Sequence, residues 1–304
     1  MAINNISTAS KFSSELDKVI VSKAVTGFFA DNVLRAKFVG AKTVLIPDID
    51  FVGLADYDRD TGFSKAKTTV SNTSYELSKD RARSLQLDRE EMDESGIANL
   101  AGQVLGEYVR TMVVPEMDAY VLSELYKVAD AHGHTVEFDE DKVYSQLVSL
   151  INNVQSRAGF DEELVAFVNP RTYAALMNCA ELNRQLVVSD FKQGEVDLKV
   201  KSLNGVAIIP VADDRMKTDI EFDGGEDTTS GGYTVSDASK DICMLVIPKK
   251  GASLVKKTET MRIFTPEQNT EADAYIFNYR VYYDVFVKKS GLELVEAAFS
   301  EINS

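Results

Sequence analysis

The sequence is short of cysteine, histidine and positive charge, and each shortage closes a class of function. Its two cysteines, Cys179 and Cys243, stand far apart with no C-x-x-C spacing. That leaves no disulfide framework and no zinc site, and both are expected as small buried hydrophobes. The two histidines, His132 and His134, lack a third for zinc, and their place after a long helical pattern fits C-terminal capping better. Lys and Arg number 33 against 48 Asp and Glu, a net charge of −15 and the wrong sign for gripping nucleic acid through its phosphates. With only 6 prolines and 17 glycines in 304 residues, collagen-like and low-complexity chains are excluded. No run reaches the ~18 apolar residues of a membrane helix, and the N-terminus lacks a secretory-signal layout, so a protein used in the cytosol is expected.

Hydrophobic residues make up 44% of the chain, enough for one large core or two ordinary ones. The charge is uneven. Residues 1 to 42 hold Lys11, Lys18, Lys23, Arg35, Lys37 and Lys42 against Glu15, Asp17 and Asp31, a local +3 that leaves −18 on the rest. An arm of opposite sign to the body is suited to dock on a neighbour's acidic body.

Short helices are expected near residues 10 to 21 and 25 to 37, then a strand at 42 to 51 interrupted by Pro47. A turn-rich acidic tip at 53 to 62 leads to a return segment, 67 to 77, rich in Thr, Ser and Val. Such a hairpin favours extended backbone but has little apolar surface to bury, so it must lie on something else. The strongest helix pattern covers 95 to 131, about 54 Å at ~1.5 Å per residue, with Pro115 expected to bend or break it. Its partner is the strand 275 to 287, one face of which reads Tyr275, Phe277, Tyr279, Val281, Tyr283, Val285 and Val287. A further strand is expected at 292 to 299. The texture between is α/β: a helix at 142 to 156, a buried strand at 164 to 168, a helix at 170 to 177 capped by Asn169, and strands at 206 to 211 and 242 to 247. The stretch 213 to 233, with Asp223, Gly224, Gly225, Glu226 and Asp227, reads as a flexible acidic loop.

Asp56, Asp58 and Asp60 alternate as in a calcium loop, but Thr61 and Lys67 stand where that loop needs Gly and Glu. A solvated tip that pairs with a neighbour is the better reading. The runs 88 to 94 and 139 to 141 read as acidic helix starts. No nucleophile elbow, P-loop or dinucleotide fingerprint is present, and no cofactor or catalytic residue is assigned.

The order of parts, together with the wording of Leu54 to Phe63, Asp80 to Asp88 with Met92-Asp93, Val114 to Tyr120, Ile247 to Lys249, Arg262 to Pro266 and Tyr279 to Phe286, resembles the major capsid proteins of tailed bacteriophages, over nearly the whole chain. The resemblance implies the α+β Hong Kong-type coat fold: an N-arm at 1–41, an E-loop at 42–80, a peripheral domain at 81–138 and 265–304, and an axial domain at 139–264. It implies a structural protein and no enzyme. Copies would gather as pentamers and hexamers into an icosahedral shell around double-stranded DNA held without sequence-specific contacts. Expected partners are a portal and a separate scaffolding protein, since only residues 1 to 10 precede the arm. No membrane is involved, and assembly takes place in the host bacterial cytoplasm before the protein joins the virion capsid. The E-loop strands are expected to lie across a neighbour's long helix, with the tip, Asp56, Tyr57, Asp58, Arg59 and Asp60, as an inter-subunit site, and Asp223 to Asp227 to gather near the capsomer axis. Some relatives join Lys to Asn covalently; Lys65, Lys67 and Asn278 are present, with no partner Glu assignable. The rivals are an encapsulin-like nanocompartment and, at a distance, a metal-assisted hydrolase using Asp56, Asp58 and His134.

Overall fold

The computed structural model describes residues 24–32, 37–40, 42–50, 52–60, 62–67, 69–90, 105–179, 187–193, 196–227 and 229–301. The expected helix at 10 to 21 lies outside them.

The chain enters as a short 3-10 helix, Gly27–Asn32, where the sequence suggested a longer helix. This segment is not a free arm. Phe28 and Phe29 are 1% and 0% exposed and pack on Phe167, with ring centroids 6.2 and 6.3 Å away. Three short strands follow, β1 (Lys37–Val39), β2 (Thr43–Asp50) and β3 (Thr69–Glu76), in the order β1-β2-β3. β2 and β3 pair without a break from Thr43↔Glu76 to Asp50↔Thr69. Pro47 lies in β2 beyond the pairs that β1 makes, among the described residues, with Thr43 to Leu45. β4 (Lys79–Asp88) comes next, a strand the sequence reading missed.

Helical backbone runs from residue 105 to 131, about 40 Å at ~1.5 Å per residue, and ends in α1 (Val114–Ala131). The expected start at 95 lies outside the described residues. Pro115 neither breaks the rod nor leaves its ladder regular. A single π-turn, Val109–Val113, precedes it, and the Val114 N–H bonds to the Val109 carbonyl, one residue farther back than in an α-helix. The wider turn relieves the clash of a proline ring with the carbonyl four residues earlier. The other end closes as expected: Gly133 takes φ +72°, its N–H meets Asp130 O, and the His134 N–H meets Ala129 O.

The remaining elements are β5 (Thr135–Glu137), α2 (Val143–Ala158), β6 (Leu164–Val168), α3 (Pro170–Asn178), β7 (Val187–Gln193), β8 (Val196–Leu203), β9 (Val206–Pro210), β10 (Ile220–Asp223), β11 (Gly232–Val235), β12 (Asp241–Pro248), β13 (Ala252–Phe264), β14 (Ala274–Val287) and β15 (Glu296–Ser300). A seven-stranded sheet has the order β5-β15-β12-β6-β9-β8-β7. Its centre is buried on both faces, which is why β6 and β12 read as unbroken apolar runs. Leu164, Ala166 and Val168 meet α2 and α3, while Val165 and Phe167 face the core of α1 and the two phenylalanines. Asn169 caps α3, its Oδ1 accepting the Thr172 N–H at 2.8 Å.

The second large sheet is β13-β14-β4, with β14 central. One face of β14 carries Phe277, Tyr279, Val281 and Tyr283 against the helical rod 105–131, in edge contacts Tyr108–Tyr279 and Tyr120–Tyr283 of 6.3 and 5.8 Å. The expected strand at 292 to 299 divides into a 3-10 helix, Lys289–Leu294, and β15. β15 joins the seven-stranded sheet beside β12, whereas β13, from the α/β stretch, joins β14.

If residues 24–32 are part of the core, Phe28→Ala costs about 3–5 kcal/mol of stability, read as a lowered unfolding midpoint in urea. A loosely held arm would leave the midpoint unchanged.

Candidate functional site

The tip of the β2–β3 ribbon is built by its own turn chemistry. Asp58 Oδ1 accepts the Asp60 N–H at 2.8 Å, and Asp58 O accepts the Gly62 N–H at 2.8 Å, with Gly62 at φ +79°. The Asp58 carboxylate is thus turned toward its own backbone, the usual Asx turn. Asp56, Tyr57, Asp58, Arg59 and Asp60 are all exposed, as are Lys65 and Lys67. Apolar side chains stand among the charges: Leu54 is fully exposed, Phe63 86% and Val52 66%, and Tyr57 meets Phe63 edge-on at 5.1 Å. Covering such side chains contributes about 1.5–3 kcal/mol each.

The root of the loop is fixed to the body. Val44 and Leu77 pack with Val255, Tyr282 and Phe286 on the face of β14 opposite α1, and Tyr75 lies 4.7 Å from the Phe286 ring. The Tyr282 hydroxyl donates to Leu77 O at 2.9 Å. Asp284, 5% exposed, accepts the Ser78 N–H and the Tyr120 hydroxyl, each at 2.7 Å. One carboxylate therefore ties the exit of the loop, the long helix and the central strand. Burial pushes the Tyr120 hydroxyl far above its ordinary value, which keeps it a donor to Asp284.

A second carboxylate, Asp118 on α1, is fully buried and holds the N-terminal segment. It accepts the Val25 N–H at 3.1 Å, the Thr26 N–H at 3.0 Å and the Thr26 hydroxyl at 2.6 Å, and it pairs with Arg215 at 3.0 Å. Burial raises its carboxyl, and the Thr26 bonds and Arg215 pull it back toward the ionised form.

The acidic stretch at 213 to 233 is not the loose loop expected. β10 and β11 pair antiparallel, and the turn between them is ordered from within. Asp223 accepts the Gly225 and Gly231 N–H groups at 2.8 and 2.9 Å, and Asp227 accepts the Thr229 and Ser230 N–H groups at 2.8 and 2.6 Å. The hairpin is then held on its own subunit. Alternation on β4 sets Lys79, Arg81 and Arg83 on one half-buried face. Arg81 donates to Asp223 O and Gly232 O, both at 2.9 Å, and pairs in a fork with Glu116 on α1 at 2.8 and 3.1 Å. Arg83 donates to Ser230 O at 2.9 Å and packs so close to Gly225 that a Cβ there would lie 3.0 Å from its nitrogen. Lys79 lies over the Phe222 and Tyr120 rings at 4.5 and 5.0 Å. Gly224, Glu226 and Asp227 keep an exposed edge. The i, i+2, i+4 cations of β4 were visible in the sequence and were the missed signal.

The hydrolase constellation is not brought together. Asp56 and Asp58 belong to the tip, whereas His134 bonds Glu293 at 2.8 Å beside Glu296 and Arg157. Among the described residues no group of three or more His, Cys, Asp or Glu is placed to hold a metal, and none of the helices is long and apolar enough to cross a membrane.

No family model and no curated protein matches this sequence. Solved structures do. The chain superposes on one from the capsid structure of cyanophage P-SCSP1u with a TM-score of 0.57 at 12% identity, covering 88% of this chain and 86% of that one. Against the mature capsid of bacteriophage PhiM1 the TM-score is 0.53 at 14% identity, over 87% and 83%. Against the virus-like particle from Pyrococcus furiosus it is 0.51 at 13% identity, over 96% and 99%. The chain has the fold of tailed-phage capsid proteins.

Two outcomes follow from this geometry. Tyr120→Phe leaves the buried Asp284 carboxylate one donor short and is expected to cost about 1–3 kcal/mol, measured by urea unfolding. The Asp227 carboxyl lies at about 2, below its ordinary 3.8, chiefly because the Thr229 N–H bonds to the ionised form. A folded value below the unfolded one means stabilisation that is complete above about pH 4 and lost as pH falls through about 2. Amide exchange at Thr229 and Ser230 should quicken through that window, and Asp227→Asn should abolish the dependence.

Proposed function

We propose that this chain is the major capsid protein of a tailed bacteriophage, a structural protein whose copies gather as pentamers and hexamers and close an icosahedral shell around double-stranded DNA. The supporting observation is the E-loop: a ribbon rooted firmly in its subunit by Asp284 and the Val44–Phe286 cluster, ending in apolar side chains that the subunit leaves exposed. Each copy offers surface that only another copy can cover, and many modest contacts add up to a strong shell by multivalency. The acidic body lets packaged DNA slide along the wall without adhering, and no sequence-specific contact is needed. A separate scaffolding protein, a portal, assembly in the bacterial cytoplasm and residence in the virion complete the proposal.

The division into parts follows the sheets. We divide the chain into an N-terminal segment (1–41), of which residues 24–32 pack into the core, an E-loop (42–80), a peripheral unit of β4, α1, β13 and β14, and an axial unit built on the seven-stranded sheet. This moves β13 and β15 across the limits that the sequence alone suggests. The hairpin that carries residues 223 to 227 is tied to β4 at Asp223, Ser230 and Gly232, so we assign the capsomer axis to the edge strand β7 of the seven-stranded sheet.

A nanocompartment shell that encloses a cargo enzyme is the second reading, favoured by the near-complete overlap with the Pyrococcus furiosus particle. Particle contents separate the two: DNA supports the phage shell, and a protein cargo supports the compartment. Electron microscopy of the purified protein is expected to show closed particles. Deleting residues 56 to 62 should leave folded, soluble subunits that assemble poorly, and normal shells from that deletion would remove the role given to the tip.

A further inference from the structure

A cleft of about 410 Å³, the size of a small-molecule site, opens between the π-turn of the long helix and the β10–β11 turn, with β4 and β14 as its floor. Leu85, Val113 and Val281 give it an apolar lining, and Met112 stands at its lip, 60% exposed although it belongs to the apolar pattern of the helix. Tyr283, also lining the cleft, is 1% exposed, and its hydroxyl has no hydrogen-bond partner among the described residues. Burial pushes that hydroxyl well above its ordinary value, so it keeps its proton and remains a donor. A buried donor without an acceptor is costly and points to an acceptor brought from outside. A water would meet the hydroxyl but would leave the apolar walls beside it unfilled. The π-turn is itself the kind of helix irregularity that collects at functional sites.

Charge narrows the class of ligand. Glu116 and Asp223 border the cleft, but both are matched within the chain: Arg81 forks onto Glu116 at 2.8 and 3.1 Å, and Asp223 accepts the Gly225 and Gly231 N–H groups at 2.8 and 2.9 Å. Arg83 holds the turn through Ser230 O at 2.9 Å and brings its positive charge to the flank. We infer that this cleft binds a small amphipathic carboxylate, its chain or ring against Leu85, Val113 and Val281 and its head accepting the Tyr283 hydroxyl in the field of Arg83. The lining sorts ligands by sign, since an ammonium head would meet a hydroxyl donor and guanidinium groups where the carboxylate meets partners. A bound molecule would touch the long helix, β14 and the β10–β11 turn at once and so add to the brace that Arg81 makes. The site goes beyond the capsid reading and does not depend on it, because every wall belongs to one folded chain.

Decanoate serves as the probe. Calorimetric titration of the full chain is expected to show one saturable site. Tyr283→Phe keeps the ring, removes only the orphaned hydroxyl and so stays folded; it is expected to bind decanoate about tenfold more weakly. Decylammonium, with the same chain and the opposite charge, should show no saturable binding. Because the sequence contains no tryptophan, Met112→Trp places a sole fluorophore at the exposed lip, and its emission should move to the blue as decanoate enters. Phe160→Trp, at a position 80% exposed between α2 and β6 and outside the lining, should not respond. No saturable site, equal affinity in Tyr283→Phe, equal binding of decylammonium, or a Met112→Trp emission that stays put while calorimetry records binding each overturn the assignment.

Discussion

The structure depends on the seam where α1 lies along β14, because the N-terminal segment and the exit of the β2–β3 ribbon are each tied there by a buried carboxylate. Asp118 takes the N-terminal segment through three donors and an arginine, and Asp284 takes the exit of the E-loop and the hydroxyl of Tyr120. A carboxylate in an apolar seam is tolerated only when its bonds are made, so each anchor also fixes the direction in which its appendage leaves. The E-loop thus meets the body at a definite angle although it has no core of its own. A rigid root and an uncovered tip suit a part meant to be completed by another molecule.

The same seam organises the rest. Arg81 joins β4, the first turn of α1 and the β10–β11 hairpin in one network, so the acidic turn that looks loose in the sequence becomes a brace between the two sheets. Phe28 and Phe29 fill the space where α1, β13 and the seven-stranded sheet converge, so the N-terminal segment is core by the time it reaches residue 24. Pro115 and the π-turn before it let the rod continue while turning Met112 outward.

Legibility in the sequence followed the range of the interactions. β6, α3, the end of α1 and the aromatic face of β14 were readable because periodicity, an Asn cap and a Gly stop act over a few residues. The tip was readable as a turn for the same reason. β4 and β13 were not, since their outer faces are polar and their alternation carries charge in place of apolar side chains. β15 was readable as a strand but not as a member of the seven-stranded sheet, because only its pairing with Asp241 to Val246 decides that. Neither anchor could be seen at all. Asp118 and Asp284 look like ordinary surface acids until partners 92 to 206 residues away arrive. The Tyr283 hydroxyl was likewise hidden inside a strand face that reads as wholly apolar or aromatic.

Hydrogen exchange compared between dissociated subunits and assembled particles tests the central claim most directly. Amides of the root, at Leu77 and Ser78, should be slow in both states, while those of residues 52 to 67 should be fast in the lone subunit and slow in the particle. A tip already protected before assembly, or still unprotected within the closed shell, would contradict the account.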